Sequence, residues 1–209
     1  MDVILAFVKI ALFILLYISG AQAMAIETPD YEIVEKVGNL EIRRYEPHNV
    51  ARTLVQASFS KAGNQGFARL AGYIFGGNGD KKKIAMTAPV FQVPIAETTA
   101  RINDYWVAFT MPSEHDFNAL PSPDDERVEL VHVPEQHVAV LSYTGSWSES
   151  KYRKHEAKLL ETLQDNTQWV QLGETTWARY DHPMTPWFLR KNEVAVVVGP
   201  RIQAVSSAN

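Results

Sequence analysis

The chain has 209 residues, with 20 Lys and Arg against 24 Asp and Glu for a formal charge of −4. It contains no Cys, which excludes a disulfide scaffold, thiolate zinc, iron–sulfur ligation and a cysteine nucleophile. No basic excess advertises nucleic-acid binding, and 46% hydrophobic with 21% charged residues is a globular rather than a disordered composition.

Residues 1–23 read as a secretory signal. Val3–Val8 and Ile10–Ile18 are apolar around Lys9, Ser19-Gly20 breaks the run, and Ala21-Gln22-Ala23 supplies a small-x-small cleavage pattern. The uninterrupted run is shorter than the ~20 residues that span a bilayer. An uncleaved anchor is the alternative, because the first residues carry Asp2 and no basic cluster. Residues 24–209 are expected to form one exported domain, periplasmic in a bacterium, with no stable membrane insertion after cleavage.

Tyr31–Lys36 and Leu40–Tyr45 alternate around Gly38-Asn39, which predicts a hairpin. Asn49–Val55 is the next strand. Phe59, Gly63, Phe67, Leu70 and Ile74 then recur at helical spacing, so Ser58–Phe75 is an amphipathic helix stopped by Gly76-Gly77. These glycines follow a helix rather than open one, so they form no phosphate cradle. Lys81-Lys82-Lys83 reads as a solvated charge run. Ile84–Val93 returns to extended structure, with Pro89 at an edge or bulge.

Asp104–Met111 is a strand, Pro112–Asp125 a loop, and Arg127–Val133 with His137–Tyr143 a strand pair around Pro134-Glu135. Ser146-Trp147-Ser148-Glu149 has the form of a capping box. Tyr152, His155, Leu159 and Leu163 mark the buried stripe of a second helix ending near Asn166. Thr175–Tyr180 and Asn192–Val198 complete the strands. The order of elements repeats, and so does local text. Glu46-Pro47-His48-Asn49-Val50-Ala51 precedes the first helix, and Pro134-Glu135-Gln136-His137-Val138-Ala139 precedes the second. Two such units pairing edge to edge give an α+β body with two-fold internal duplication.

Chemistry-bearing residues are few. In Glu41-Ile42-Arg43-Arg44-Tyr45, Arg43 and Arg44 point to opposite faces of a strand. Each is either solvated or set to pair with a ligand carboxylate. Glu193 enters an apolar strand, where it pairs with an Arg or carries a raised pKa; pairing is the favoured reading. The six His form no tight ligand set, although His132 and His137 flank a turn and would face each other across a hairpin. No metal site and no catalytic constellation is predicted.

Several pieces in order together resemble the SOUL haem-binding-protein family. They are Tyr31-Glu32-Ile33-Val34, Glu41-Ile42-Arg43-x-Tyr45 and Gly66-Phe67-x-x-Leu70-x-x-Tyr73-Ile74. Lys83-Ile84-x-Met86-Thr87-Ala88-Pro89-Val90, Tyr180-Asp181-x-Pro183 and Asn192-Glu193-Val194 follow. The resemblance spans about Thr28 to Val198. It implies a distorted antiparallel, barrel-like sheet flanked by two long helices, and a tetrapyrrole, haem or a relative, held in a shallow apolar cleft beside the first helix. Carried onto this chain, the contacts are Leu70, Ala71, Tyr73 and Ile74. Arg43, Arg44, Lys61 and Arg69 are the candidate cations for propionates. The chain has Arg44 where some members have a proposed axial His, and Ala195 where the family usually has Trp. A non-haem interaction module and a small-molecule hydrolase using Glu193 and Tyr180 are the alternative readings.

Overall fold

A computed structural model describes residues 26–95, 104–165 and 168–201. The expected signal segment, residues 1–23, lies outside them. Ten strands form one antiparallel sheet: β1 (Tyr31–Val37), β2 (Leu40–Tyr45), β3 (His48–Gln56), β4 (Val90–Pro94), β5 (Asp104–Thr110), β6 (Val128–Val133), β7 (Gln136–Thr144), β8 (Trp169–Gln171), β9 (Thr176–Arg179) and β10 (Lys191–Pro200). Helix α1 (Phe59–Ile74) follows β3, and helix α2 (Glu149–Asp165) follows β7.

The strands run β1-β2-β7-β10-β9-β4-β5-β3-β6, with β8 pairing the far end of β10. Outward from the β4–β9 junction the order is β4-β5-β3-β6 on one side and β9-β10-β7-β2 on the other. Each side places its helix after the third strand from the junction. The repeated sequence text falls on matching places. Val50 and Val138 line the same cavity, while Ala51 and Ala139 are both fully buried in the core.

The sequence-predicted hairpin forms between β1 and β2. The expected pairing of the strands around Pro134-Glu135 does not. β6 pairs with β3, and β7 lies between β2 and β10. Each strand leaves the turn for the opposite half of the sheet. Short β8 escapes the alternation signal, being only three residues long.

α1 takes its buried face from Phe59, Ala62, Gly63, Gly66, Leu70, Tyr73 and Ile74, at steps of three and four. Gly66 is required by closeness: a Cβ there would lie 2.4 Å from Val107 Cβ. The C-terminus is a Schellman motif. The Gly77 amide donates to Gly72 O at 2.9 Å, the Gly76 amide donates to Tyr73 O at 3.3 Å, and Gly76 has φ +108°. α2 begins at Glu149, so Ser148 rather than Ser146 stands just before it. Trp147 is thereby released to pack elsewhere. Both helices lie on one face of the sheet, where Phe59, Tyr152 and Trp177 meet with ring centroids 5.1–5.7 Å apart.

Candidate functional site

The residues carried over for the macrocycle fall on two sides of α1's story. Leu70, Tyr73 and Ile74 are fully buried, and Ala71 nearly so, all against the sheet. Tyr73 donates its hydroxyl to Pro121 O at 2.9 Å, and burial pushes its pKa up to about 12. These side chains build the core and line no opening. Arg69 is engaged by β3, donating to Thr53 Oγ1 at 2.5 Å and Leu54 O at 3.0 Å, with Asp125 at 4.0 Å. Lys61 is exposed on the first turn of α1. Arg43 and Arg44 are on β2, in the other half of the sheet, so they do not converge with the helix residues.

The opening beside α1 lies on a different face of the helix. Gly63, Asn64 and Phe67 share it with Val90, Trp147, Arg179, Asp181 and Pro183, around about 90 Å³. Arg179 donates to Gln92 Oε1 at 2.8 Å, and Gln92 in turn donates to Phe59 O at 3.0 Å. Gly63 makes room for this pair: a Cβ there would meet Arg179 Nη1 at 2.7 Å and Gln92 Oε1 at 2.8 Å. The Arg190 guanidinium sits 4.2 Å over the Trp147 ring. Arg190 also donates to Thr185 O and Pro183 O, which fixes residues 181–190 as a shaped loop. The Trp147 indole N–H is buried beside this cleft with no partner among the described residues. The loop exposes large apolar groups: Met184 is 84% exposed, and Trp187, Phe188 and Leu189 are each more than half exposed. Phe67 adds a partly exposed ring on the helix side.

A second site of chemistry lies on the sheet face away from the helices. Glu193, 2% exposed, accepts from Arg43 at 3.1 Å on both oxygens. It also accepts from Ser142 at 2.8 Å and Tyr180 at 2.5 Å, and Lys191 Nζ is 3.3 Å away. Burial pushes the Glu193 pKa up, but the hydrogen bonds and charge of Arg43, with Tyr180 and Lys191, outweigh it, and the pKa is lowered. Arg43 is 3% exposed and also donates to Glu41 at 2.8 and 2.9 Å. Burial opposes its charge, but Glu193 holds its pKa above the ordinary value. Both groups are therefore ionised, and the favoured reading of Glu193 as a paired carboxylate is what the structure contains. Arg43's guanidinium is taken up by the chain's own carboxylates. Arg44, half-buried, pairs with Glu32 and Glu135 at 2.8 Å and Glu46 at 3.2 Å.

A family model described as SOUL heme-binding protein matches residues 26–197. The chain belongs to the SOUL heme-binding protein family. It is 30% identical over 191 residues to Heme-binding protein 2 of Homo sapiens, covering 83% of this chain and 90% of that protein. It is 29% identical over 195 residues to Heme-binding protein 2 of Mus musculus, covering 85% and 92%. Among solved structures, the crystal structure of the EcmrR C-terminal domain aligns with a TM-score of 0.61 at 11% identity, covering 81% of this chain and 98% of that one. That likeness shows the fold alone: a curled antiparallel half-barrel with two helices.

In this SOUL chain His132 and His137 stay apart, whereas His48, His115 and His132 line one opening. His132 contacts Asn49 Oδ1 at 2.9 Å and the Phe117 ring, while His137 packs on Trp169. They do not face each other, because their strands do not pair. His155, expected on the buried stripe of α2, is only half-buried: its ring stacks on Tyr143 at 3.7 Å and its Nδ1 contacts Lys151 O at 2.7 Å. No group of three potential ligands gathers among the described residues. No helix among them is long and apolar enough to cross a membrane. Sequence reasoning missed Arg179, Arg190, Trp147 and the aromatic loop as cleft groups. Pro186-Trp187-Phe188-Leu189 in a Pro-rich, strandless stretch was the available signal.

Proposed function

We propose that the chain binds haem, or another tetrapyrrole, across the mouth of the α1 cleft, against Gly63, Asn64, Phe67, Pro183 and Trp187. The observation that carries this reading is the pairing of SOUL family membership with that cleft, which sets the partly exposed Phe67 ring near Arg179. A macrocycle needs a flat apolar support and cations for two carboxylates. Trp187 and Phe67 supply the first. Arg179 and Lys61, which make no carboxylate ion pair among the described residues, supply the second. An opening of about 90 Å³ is too small to enclose a macrocycle, so the ring lies over it and stays partly solvated. Such exposure suits carriage or buffering better than oxygen chemistry.

Residues 1–23 direct export in this proposal, and the matching halves of the sheet reflect an internal duplication. The saturated Glu193 is poor acid–base machinery, which disfavours the hydrolase reading.

The test titrates the full-length chain with ferric haem and with iron-free protoporphyrin, following the Soret band. Saturable and equal binding of both is the expected result. Lys61→Glu should weaken both by about ten-fold, equivalent to 1.4 kcal/mol. A Soret shift for haem alone would instead bring in an iron ligand, with His182 and Met184 the loop groups to vary first. If neither compound saturates, tetrapyrrole binding is wrong for this chain, and the exposed 184–189 patch becomes a docking face.

A further inference from the structure

The helices cover one face of the sheet only. The opposite face of such a sheet is ordinarily polar. Here, outside the Glu193 cluster, much of it is apolar, and it curls around a cavity of about 210 Å³, partly open to solvent, with Val50, Phe91, Val138 and Val197 among its walls. Its floor is made of unusually small side chains. Ala108, Ala178 and Ala195 stand on β5, β9 and β10 where β-branched or aromatic residues are the ordinary filling of a strand. Phe91 on β4 is the cross-strand partner of both Ala108 and Ala178, so a ring is flanked on each side by a methyl. Ala195 lies opposite Thr176 on the neighbouring strand. The room is thus set by residue choice at three positions on a rigid sheet, not by a loop.

The charge at the rim decides what can enter. Glu193 is the one carboxylate in the lining, and five donors already converge on its two oxygens. Arg43 and Lys191 offset its charge. A cation would find the Glu193 oxygens already taken, and an anion would meet a carboxylate. A neutral apolar molecule meets neither cost. Size follows from volume: an apolar cavity of about 150 Å³ accepts benzene, so this one accepts one or two fused rings.

We propose that this cavity is a second binding site, for a small neutral aromatic or alicyclic molecule of one or two fused rings. It is separate from the tetrapyrrole site, which lies on the helix side of the sheet, and does not depend on it. The two sites share strand β9 with opposite faces: Arg179 points to the α1 cleft and Ala178 to this cavity.

Isothermal titration of the full-length chain with 2-naphthol tests this, with 2-naphthoate and 1-naphthylmethylammonium as charged counterparts of similar size. One-to-one, saturable binding of 2-naphthol is expected, at least ten-fold tighter than either ion. Ala195→Trp fills the cavity and should weaken 2-naphthol at least ten-fold while leaving haem titration unchanged. Should Ala195→Trp not fold by circular dichroism, Ala178→Val is the milder plug, with the same sign and a several-fold effect. Absent saturation by 2-naphthol overturns the site. So do plugged variants that bind as wild type, or an ion that binds as tightly as the neutral ligand. Displacement of 2-naphthol by haem would merge the two sites and overturn their separation, whereas loss of haem binding alone leaves this proposal standing.

Discussion

The two faces of one sheet are built to different rules. On the helix side, Trp177, Phe59, Tyr152 and Tyr105 interlock with ring centroids 5.1–6.4 Å apart. On the other side the next residue along the same strand is Ala178, and Val194 is followed by Ala195. Neighbours one position apart thus serve opposite ends, because strand side chains alternate. The large residue is buried in aromatic packing, and the small one leaves space beside an ion-pair cluster. Aromatic packing is concentrated on the helix face, and an open cavity of about 210 Å³ is kept on the other.

The sharpest test of that division is Trp177→Ala. It removes a fully buried ring that touches three aromatic neighbours, and should cost about 3–5 kcal/mol in urea unfolding. If the loss were under 1 kcal/mol, the helix face would not be where stability resides. Gly66→Ala attacks the same face by the reverse route. Its Cβ would meet Val107 Cβ at 2.4 Å, and a β-branched residue on a central strand cannot swing away. The helix must lift, at a cost of about 3 kcal/mol.

The other face has its own stabilising element. Arg43→Ala leaves Glu193 buried with only Lys191, Tyr180 and Ser142, and should cost about 3 kcal/mol. The pH dependence has a definite sign. The folded pKa of Glu193 is depressed, so its contribution is full above the unfolded carboxylate value of about 4.3 and is lost as pH falls through the folded value. Urea midpoints measured from pH 7 to pH 3 should therefore fall in the wild type. Glu193→Gln should start lower and show a flatter profile. Parallel profiles would mean that Glu193 is not the group that titrates.

Most of the fold was legible in the residues. The apolar steps from Phe59 to Ile74 and the following Gly76-Gly77 locate α1 to within a residue at each end, since period and cap agree. The hairpin at Gly38-Asn39 was legible for the same reason. The partners of β6 and β7 were not, because strand pairing across the sheet is a long-range property that a local turn signal misassigns. The site divides similarly. The SOUL resemblance pointed to α1, but helical periodicity does not say which face stays open. Leu70, Tyr73 and Ile74 are the strongest apolar marks, and for that reason they are buried in the core. Gly63 and Asn64 look inert in the sequence, and Arg179 reaches the cleft from a strand more than a hundred residues away.

Gly63→Ala is the smallest perturbation and separates the two openings most cleanly. Its added methyl would meet Arg179 Nη1, Gln92 Oε1 and Arg179 Nη2 at 2.7–2.9 Å, all of them far ends of flexible side chains rather than backbone. They can yield, so the stability cost should be about 1 kcal/mol, well below that of Gly66→Ala three residues along the same helix. Yielding nevertheless moves the guanidinium from its place under the cleft and breaks its 2.8 Å bond to Gln92. Haem affinity should then drop several-fold, with 2-naphthol binding on the opposite face unchanged. A variant that loses 2-naphthol and keeps haem would reverse the assignment of the two faces. The contrast between Gly66 and Gly63 thus distinguishes a glycine that accommodates a neighbouring strand from one that accommodates the side chains of the proposed site.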